Sequence, residues 1–245
     1  MRTANPALNQ KTFQQFHVAN SSVTMTLEGT VLKTGILLLL AAAAAAFSWS
    51  QLADGAPLAL PFLMGSLIGG FVFALVTIFK PSWSPVTAPL YAIVEGVFLG
   101  AFSLMFNGLY PGIVFQAVVL TFGTLFALLV AYRSGLIRAT ENFKLGVCAA
   151  TGSVCMIYLM SFVLGWFGVG IPYLHEAGLV GIGCSLVVVV IAALNLVLDF
   201  DFIEKGVESG APKYMEWYGA FSLIVTLVWM YLEILRLLAK LGDYR

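Results

Sequence analysis

Charged side chains are scarce in this chain. Only 10% of its 245 residues are Asp, Glu, Lys or Arg, whereas 60% are apolar. A soluble domain usually has about 25% charged residues, so the composition excludes an ordinary water-soluble globule. Twelve basic and twelve acidic residues give a formal net charge of zero, which leaves no cationic surface for binding nucleic acid. The composition therefore indicates a polytopic membrane protein, with the lipid bilayer as its environment.

Cysteine and histidine are also rare. The three cysteines, Cys148, Cys155 and Cys184, lie in apolar runs without the spacing of a metal site or a disulfide framework. We expect them to be small buried hydrophobic residues. Both histidines, His17 and His175, lie outside the apolar runs, which argues against a histidine metal centre or a haem site in the membrane. We expect no cofactor other than the calcium ion considered below.

Pairs of catalytic residues are not apparent. Ser185 lies in an apolar run without a plausible base, and no other nucleophile and base are visible. Lys240 is too near the end of the last apolar run to form a retinal Schiff base. We therefore expect the protein not to be an enzyme.

Seven apolar runs are each long enough for a membrane helix, which needs about 20 residues to cross the bilayer. They fall at about 34–52, 58–79, 86–106, 112–132, 145–168, 178–200 and 217–239. The runs lack the alternation of barrel strands. The sequence predicts an all-α polytopic membrane protein, in which a single seven-helix domain at 34–239 follows a polar cytoplasmic segment at 1–33 and precedes a short tail at 240–245.

Basic residues favour one orientation of these helices. With the amino terminus in the cytoplasm, the predicted outer loops hold no lysine or arginine, as expected if basic loops stay inside. The basic residues on the cytoplasmic side are then Arg2, Lys11, Lys33, Lys80, Arg133, Arg138, Lys144, Lys205 and Lys213. The polar start lacks the layout of a cleaved signal peptide, so we expect the first helix to be retained. Either seven crossings put the tail outside, or the last run is re-entrant and both ends are cytoplasmic.

Acidic residues within the apolar runs are candidates for function, because a charge at the bilayer centre costs about 2.5 kcal/mol or more. Glu95 lies about nine residues, or about 13 Å, into the third run. Asp199 ends the sixth run and Glu216 begins the seventh, about equally far from the middle of their connection near Val207. An antiparallel pair of helices therefore places Asp199 and Glu216 at one depth. We expect all three carboxyl groups in the cytoplasmic half of the membrane.

Carboxyl groups gathered in a medium of low dielectric constant cannot all ionise, so they hold a proton or a cation, and each excludes the other. Calcium is favoured because it accepts several oxygen ligands in flexible geometry. The sequence thus indicates a pH-sensitive cation site with Asp199 and Glu216 as metal ligands. Glu95, Glu233 and Asp201 are further candidates for ion or proton sensing. The alternative is that Asp199, Asp201 and Glu216 are interfacial residues in contact with water or paired with Lys205 and Lys213.

Two further positions also have alternative interpretations. Glu233 and Arg236 are three residues apart, so they can form an ion pair on one helix face; otherwise they contribute to an outer gate or an ion path. Asn195 lies one turn before Asp199, where it supplies either an oxygen ligand or a hydrogen bond between helices.

Three segments carry a family resemblance. They are 91–100 (YAIVEGVFLG), 195–203 (NLVLDFDFI) and 216–238 (EWYGAFSLIVTLVWMYLEILRLL). They resemble the transmembrane Bax inhibitor motif family, in particular its bacterial Bax-inhibitor-like branch. The resemblance implies a seven-helix bundle with the last helix at the centre. It further implies a pH-dependent calcium leak in the bacterial inner membrane, with calcium and protons as ligands; the eukaryotic relatives suppress cell death.

The resemblance also implies a sensor. In the family, two aspartates on the sixth and seventh helices bind calcium or share a proton, and they are tied to a basic residue near the second helix. Asp199 matches the first aspartate. Alignment of the last helix by Leu235-Arg236 places Thr226 at the second, so the chain departs from the family pattern there.

Other residues can take the missing roles. Glu216 at matching depth, Glu233 two turns beyond Thr226, or Glu95 would supply the second carboxylate, and Lys80 is the nearest match for the basic residue. Protonation would break the tie between carboxylate and base and free the last helix to move. The alternative function is a non-conducting membrane regulator that binds other membrane proteins.

Overall fold

The computed structural model describes residues 24–53, 59–168 and 178–244. These residues contain seven helices that are long and apolar enough to cross a membrane. The helices are α1 (Leu27–Ala53), α2 (Ala59–Phe79), α3 (Ser84–Leu109), α4 (Ile113–Arg133), α5 (Glu141–Trp166), α6 (Leu179–Glu208) and α7 (Met215–Tyr244). A short 3₁₀ turn, Pro81–Trp83, joins α2 to α3. The predicted all-α membrane fold with seven helices is confirmed.

Two helices extend into the segments predicted to flank the membrane domain. α1 begins at Leu27 because the Thr26 hydroxyl oxygen accepts a 3.1 Å hydrogen bond from the N–H of Gly29, which is the arrangement of a helix N-cap. α7 continues to Tyr244 and so includes most of the predicted tail. The division into a segment at 1–33, a domain at 34–239 and a tail at 240–245 stays a prediction.

α6 runs past its predicted end near residue 200 and stops at Glu208. The N–H groups of Gly210 and Ala211 donate to the carbonyl oxygens of Val207 and Gly206, both at 3.0 Å. This is the Schellman pattern that ends many helices. It requires a left-handed backbone at Gly210, where φ is +65°, and glycine adopts that conformation without steric cost. The connection to α7 is therefore limited to residues 209–214.

Large apolar side chains cover the outer surfaces of the helices. Leu39, Phe71 and Phe126 are among them, with exposed fractions of 73%, 65% and 61%. Such surfaces are unfavourable in water and suited to hydrocarbon. They support a bilayer environment.

α7 is the most buried of the seven helices. In its most apolar stretch 67% of the residues are buried, compared with 11% to 33% in the other spans. The expected central position of the last helix stays a prediction.

The cysteines lie on more accessible surfaces than predicted. Cys148 is partly buried, whereas Cys155 and Cys184 are exposed, and all three are free. The prediction that they are buried is wrong for Cys155 and Cys184. An apolar run in a membrane helix contains lipid-facing as well as core positions, and composition does not separate the two.

The chain divides into two compact units. Among the described residues, the first unit comprises those between 24 and 109 together with Asp199–Val225, and the second comprises those between 110 and 198 together with those from 226 to 244. α6 and α7 each contribute to both units.

Glycines allow α1 and α3 to approach closely within the first unit. A Cβ atom on Gly96 would lie 2.9 Å from Cα of Ala41, and one on Gly100 would lie 2.9 Å from Cα of Ala45. Real Cβ contacts are not this short, so the packing depends on the absence of side chains. Because both contacts advance by one turn together, α1 and α3 run parallel.

Candidate proton and cation site

Asp199 of α6 is buried against α7 in the first unit. Its exposed fraction is 1%, and that of Ser222 is 0%. The Ser222 hydroxyl donates a 2.8 Å hydrogen bond to Oδ1 of Asp199. This bond sets the register of the two helices at that depth.

Ser222 occupies the depth at which the sequence analysis placed Glu216. Glu216 lies six residues earlier on α7, or about 9 Å along the axis at about 1.5 Å per residue. The difference arises because α6 continues to Glu208, which moves the middle of the connection from near Val207 towards α7. Ser222 was not predicted to contact Asp199 because α6 was expected to end too early. Gly210, which ends α6, is the sequence signal that would have placed Ser222 beside Asp199.

Glu216 is the centre of a cluster of hydrogen-bond donors. Its exposed fraction is 0%. Oε1 accepts from the Thr26 N–H at 2.8 Å and from the Thr26 hydroxyl at 2.9 Å, and it lies 2.7 Å from Nζ of Lys213. Oε2 forms an ion pair with Lys33, whose ammonium also lies 5.5 Å from the centre of the Trp217 ring. We call Thr26, Lys33, Lys213 and Glu216 the amino-terminal clamp.

The clamp ties the start of α1 to the start of α7. The residues just before α1 make two further contacts with the connection before α7. The N–H of Met25 donates a 2.7 Å hydrogen bond to the carbonyl oxygen of Ala211, and Thr24 forms an isolated β-bridge with Pro212. Two ammonium groups favour the ionised form of Glu216. The pairing of Glu216 with Lys213 that the sequence left open is observed. Lys33 was missed, because a separation of 183 residues carries no local signal.

Asp201 and Lys80 have separate partners. Lys205 donates a 2.8 Å hydrogen bond to Oδ2 of Asp201, which is the other pairing that the sequence left open. Lys80 is exposed, and its ammonium lies 4.6 Å from the centre of the Trp83 ring. Its role as the basic partner of Asp199 stays a prediction.

Glu95 lies in the middle of α3 and is partly buried. It faces Gly70 of α2, where a Cβ atom would lie 2.6 Å from Oε2 of Glu95. Within the part of the chain that the structure describes, its carboxyl group makes no hydrogen bond or ion pair. Glu95 therefore differs from Glu216, whose carboxylate is surrounded by donors.

Glu233 forms a compact cluster in the second unit. Its exposed fraction is 2%, and the Tyr158 hydroxyl lies 3.0 Å from each of its carboxylate oxygens. Nη1 of Arg236 donates to Oε1 at 3.1 Å, so the predicted pair of Glu233 and Arg236 is confirmed. The guanidinium also lies 5.6 Å from the centre of the Tyr158 ring. Tyr158 belongs to α5, and no sequence pattern joined it to Glu233.

Asn195 connects α6 to α5. Its Nδ2 donates to the Thr151 hydroxyl oxygen and to the carbonyl oxygen of Ile191, both at 2.8 Å. The hydrogen bond between helices, which was one of the two interpretations of Asn195, is observed. Thr226, which the family alignment places at the second aspartate position, is 4% exposed on α7.

The far end of α7 is held by hydrogen bonds at Lys240 and Asp243. Nζ of Lys240 donates to the carbonyl oxygen of Gly181 at 3.1 Å and to the Ser185 hydroxyl oxygen at 2.8 Å. The Tyr110 hydroxyl donates to Asp243, and this hydrogen bond raises the pKa of Tyr110 above its usual value. These contacts fix the last turns of α7 within the second unit.

A cation site built from the described residues would have few carboxylate ligands. In residues 24–53, 59–168 and 178–244, no group of three Asp, Glu, His or Cys side chains is placed to hold a metal ion. Calcium takes six to eight oxygen ligands, so a calcium ion at Asp199 would need hydroxyl, carbonyl or water oxygens as well.

The seven apolar helices define a polytopic membrane protein. Acidic side chains are buried among the helices, and many of its ionisable residues lie on the last two. The chain matches the family model described as Bax inhibitor 1 like over residues 5–243. It belongs to that family, and the resemblance inferred from the three sequence segments is confirmed. Comparisons with curated proteins and with solved structures return no match.

Proposed function

We propose that the protein is a pH-sensitive leak for calcium or another cation, in which Asp199 is the principal proton sensor. The observation that carries this proposal is the burial of Asp199 and its 2.8 Å hydrogen bond from Ser222. An ionised group within a membrane is costly and marks ion and proton paths. A proton or a cation stabilises such a carboxyl group, and the two compete.

The hydrogen bond couples the charge of Asp199 to the packing of α6 against α7. A hydroxyl group donates more strongly to an ionised carboxylate than to a neutral carboxyl group. Protonation of Asp199 therefore weakens the bond from Ser222 and frees α7 to shift. The proposed leak opens as the pH falls.

Two candidates for the second carboxylate of the family sensor have partners of their own. Glu216 is engaged in the amino-terminal clamp, and Glu233 is engaged with Tyr158 and Arg236. The proposed sensor includes Asp199 and the hydroxyl group of Ser222, which are joined by the 2.8 Å hydrogen bond.

The proposed location is the bacterial inner membrane with the amino terminus in the cytoplasm. The predicted placement of basic residues supports this orientation, since Arg133, Arg138, Lys205 and Lys213 would all lie on the cytoplasmic side. We propose no catalytic activity.

Calcium efflux from liposomes tests the proposed function. The full chain is reconstituted into vesicles loaded with calcium, and efflux is recorded at pH 6 and pH 8 with the membrane potential clamped. We expect efflux above that of protein-free vesicles, with the faster rate at pH 6. Replacement of calcium by potassium or sodium in the vesicles identifies the preferred ion.

A non-conducting regulator would give a different result. Its vesicles would match protein-free vesicles at both pH values for every ion. Under those conditions, recovery of a membrane protein in stoichiometric amount with the purified chain would replace the leak with the regulator as the function.

A further inference from the structure

Glu95 is an acidic residue within the membrane that lacks the partners of the other buried acids. It lies eleven residues after the start of α3 and fourteen before its end. Its carboxyl group lies against Gly70 of α2, where a Cβ atom would lie 2.6 Å from Oε2. No described side chain or backbone group forms a hydrogen bond or ion pair with it.

The helices that pack against α3 bring no cation to Glu95. α2 contains no ionisable residue between Ala59 and Phe79. On α1, the residue opposite Gly96 is Ala41, and the basic residue of that helix, Lys33, lies eight residues earlier, about 12 Å along the axis. Lys33 is also engaged with Glu216, and Glu28 of α1 lies further away and is acidic.

The remaining neighbours are neutral or acidic. Tyr91 lies one turn before Glu95 on α3, and its ring meets that of Phe221 of α7 edge-on, with the ring centres 5.0 Å apart. Glu216 lies five residues before Phe221 on α7 and is neutralised within the clamp. The groups described on α1, α2, α3 and α7 therefore offer no counter-charge at the depth of Glu95.

We propose that Glu95 is a proton-binding site within the contact between α2 and α3. Its carboxyl group is neutral while the two helices are in contact, because an ionised carboxylate without a partner is costly in the membrane. Loss of the proton separates the carboxylate from Gly70 and loosens that contact. This proposal does not rest on the proposed leak or on Asp199.

A hydrophobic carbodiimide provides a direct test, because it dissolves in the bilayer and reacts with protonated carboxyl groups. The carboxyl proton moves to a carbodiimide nitrogen, and the carboxylate oxygen forms a bond to the central carbon. The resulting O-acylisourea rearranges to a stable N-acylurea, so the peptide gains the mass of one carbodiimide. N,N′-dicyclohexylcarbodiimide is added to the full chain in liposomes, and the adducts are located by mass spectrometry.

We expect a rapid adduct on Glu95 at neutral pH and none on Glu216, whose carboxylate is paired with Lys33 and Lys213. Above the pH at which Glu95 loses its proton, its labelling rate should fall by about tenfold per pH unit. Glu95→Gln should remove the adduct from that peptide without changing the others.

Two glycines on α2 form a matched pair of variants. Gly70→Ala places a methyl group where the carboxyl group lies and should push Glu95 towards the lipid, so that labelling becomes several-fold faster. Gly65→Ala should label as the wild type, because nothing lies within 4 Å of a Cβ atom there.

The proposal is overturned if Glu95 stays unlabelled at every pH, or if its labelling does not depend on pH. It is also overturned if Gly70→Ala and Gly65→Ala react alike. If Gly70→Ala does not fold, the stability of Glu95→Gln at different pH values tests the proposal instead. The unfolding midpoint of the wild type should fall at high pH while that of Glu95→Gln stays constant, and equal pH dependence of the two would contradict the proposal.

Discussion

The hydroxyl group of Ser222 donates a 2.8 Å hydrogen bond to Oδ1 of Asp199, and both side chains are buried. The bond joins the last two helices of the chain at the residue that matches the first sensor aspartate of the family. In this protein a hydroxyl group of α7 therefore contacts that aspartate. A hydroxyl group can report the charge of the carboxylate without adding a second negative charge.

Removal of the Ser222 hydroxyl tests this relationship. Ser222→Ala should lower the free energy of unfolding by about 1.5–3 kcal/mol if Asp199 is ionised, because the variant takes a donor away from a buried charge. It should also reduce the pH dependence of ion efflux. Reversible unfolding in mixed micelles measures the first effect, and efflux across a pH series measures the second.

Ser153→Ala is the matched control. Ser153 is exposed and donates within its own helix to the carbonyl oxygen of Ala149 at 2.9 Å, so its substitution should leave both measurements unchanged. Equal stability and an identical pH response for Ser222→Ala and the wild type would contradict a role for Ser222.

The amino-terminal clamp should contribute strongly to stability. Glu216→Gln leaves Lys33 and Lys213 without their anion, and breaking a buried ion pair by removing one partner costs about 3–5 kcal/mol. Asp201→Asn breaks the more exposed pair with Lys205 and should cost about 1 kcal/mol or less. Unfolding free energies of both variants, with a double-mutant cycle of Lys33→Met and Glu216→Gln, check this order. A smaller loss for Glu216→Gln than for Asp201→Asn would show that the clamp is not a stabilising contact.

The hydroxyl group of Tyr158 should contribute more to the free energy of unfolding than an exposed tyrosine hydroxyl does. Tyr158→Phe removes the donor that lies 3.0 Å from both oxygens of Glu233 and so takes a hydrogen bond away from this buried side chain. A loss of about 1–3 kcal/mol in unfolding free energy is expected. Tyr244→Phe, at the exposed end of α7, should be nearly neutral. If the two variants have equal free energies of unfolding, the hydrogen bond from Tyr158 to Glu233 does not stabilise the protein.

The contact between α1 and α3 should tolerate no added methyl group. Gly96→Ala would place its Cβ atom 2.9 Å from Cα of Ala41, and overpacking of this kind costs about 1–3 kcal/mol. Gly146→Ala on α5 has nothing within 4 Å of its Cβ atom. Its higher helix propensity should stabilise the protein by up to about 1 kcal/mol. We therefore expect Gly96→Ala to lower the free energy of unfolding and Gly146→Ala to raise it. A higher free energy of unfolding for Gly96→Ala would contradict the close approach of α1 and α3.

The number of helices and the apolar centre of each could be predicted from the sequence, because long apolar runs interrupted by polar residues are a direct consequence of spanning a bilayer. The pairing of Glu233 with Arg236 was also accessible, since a spacing of three residues places both on one helix face. In each case the signal lies within a single helix.

Contacts between distant segments could not be predicted in the same way. Nothing local joins Thr26 and Lys33 to Glu216, or Tyr158 to Glu233. The depth of Glu216 relative to Asp199 depended on where α6 ends, and the apolar pattern stops near residue 200 while the helix continues to Glu208. Gly210 carried that information, because a glycine in the left-handed conformation ends the helix.

Ion efflux from vesicles containing Asp199→Asn, beside Asp201→Asn, tests the central claim most directly. Asparagine preserves the shape of the side chain but takes no proton, so Asp199→Asn should conduct equally at pH 6 and pH 8. Asp201→Asn, two residues along the same helix and outside the proposed sensor, should keep the faster efflux of the wild type at pH 6. If Asp199→Asn retains the wild-type difference between the two pH values, Asp199 is not the proton sensor.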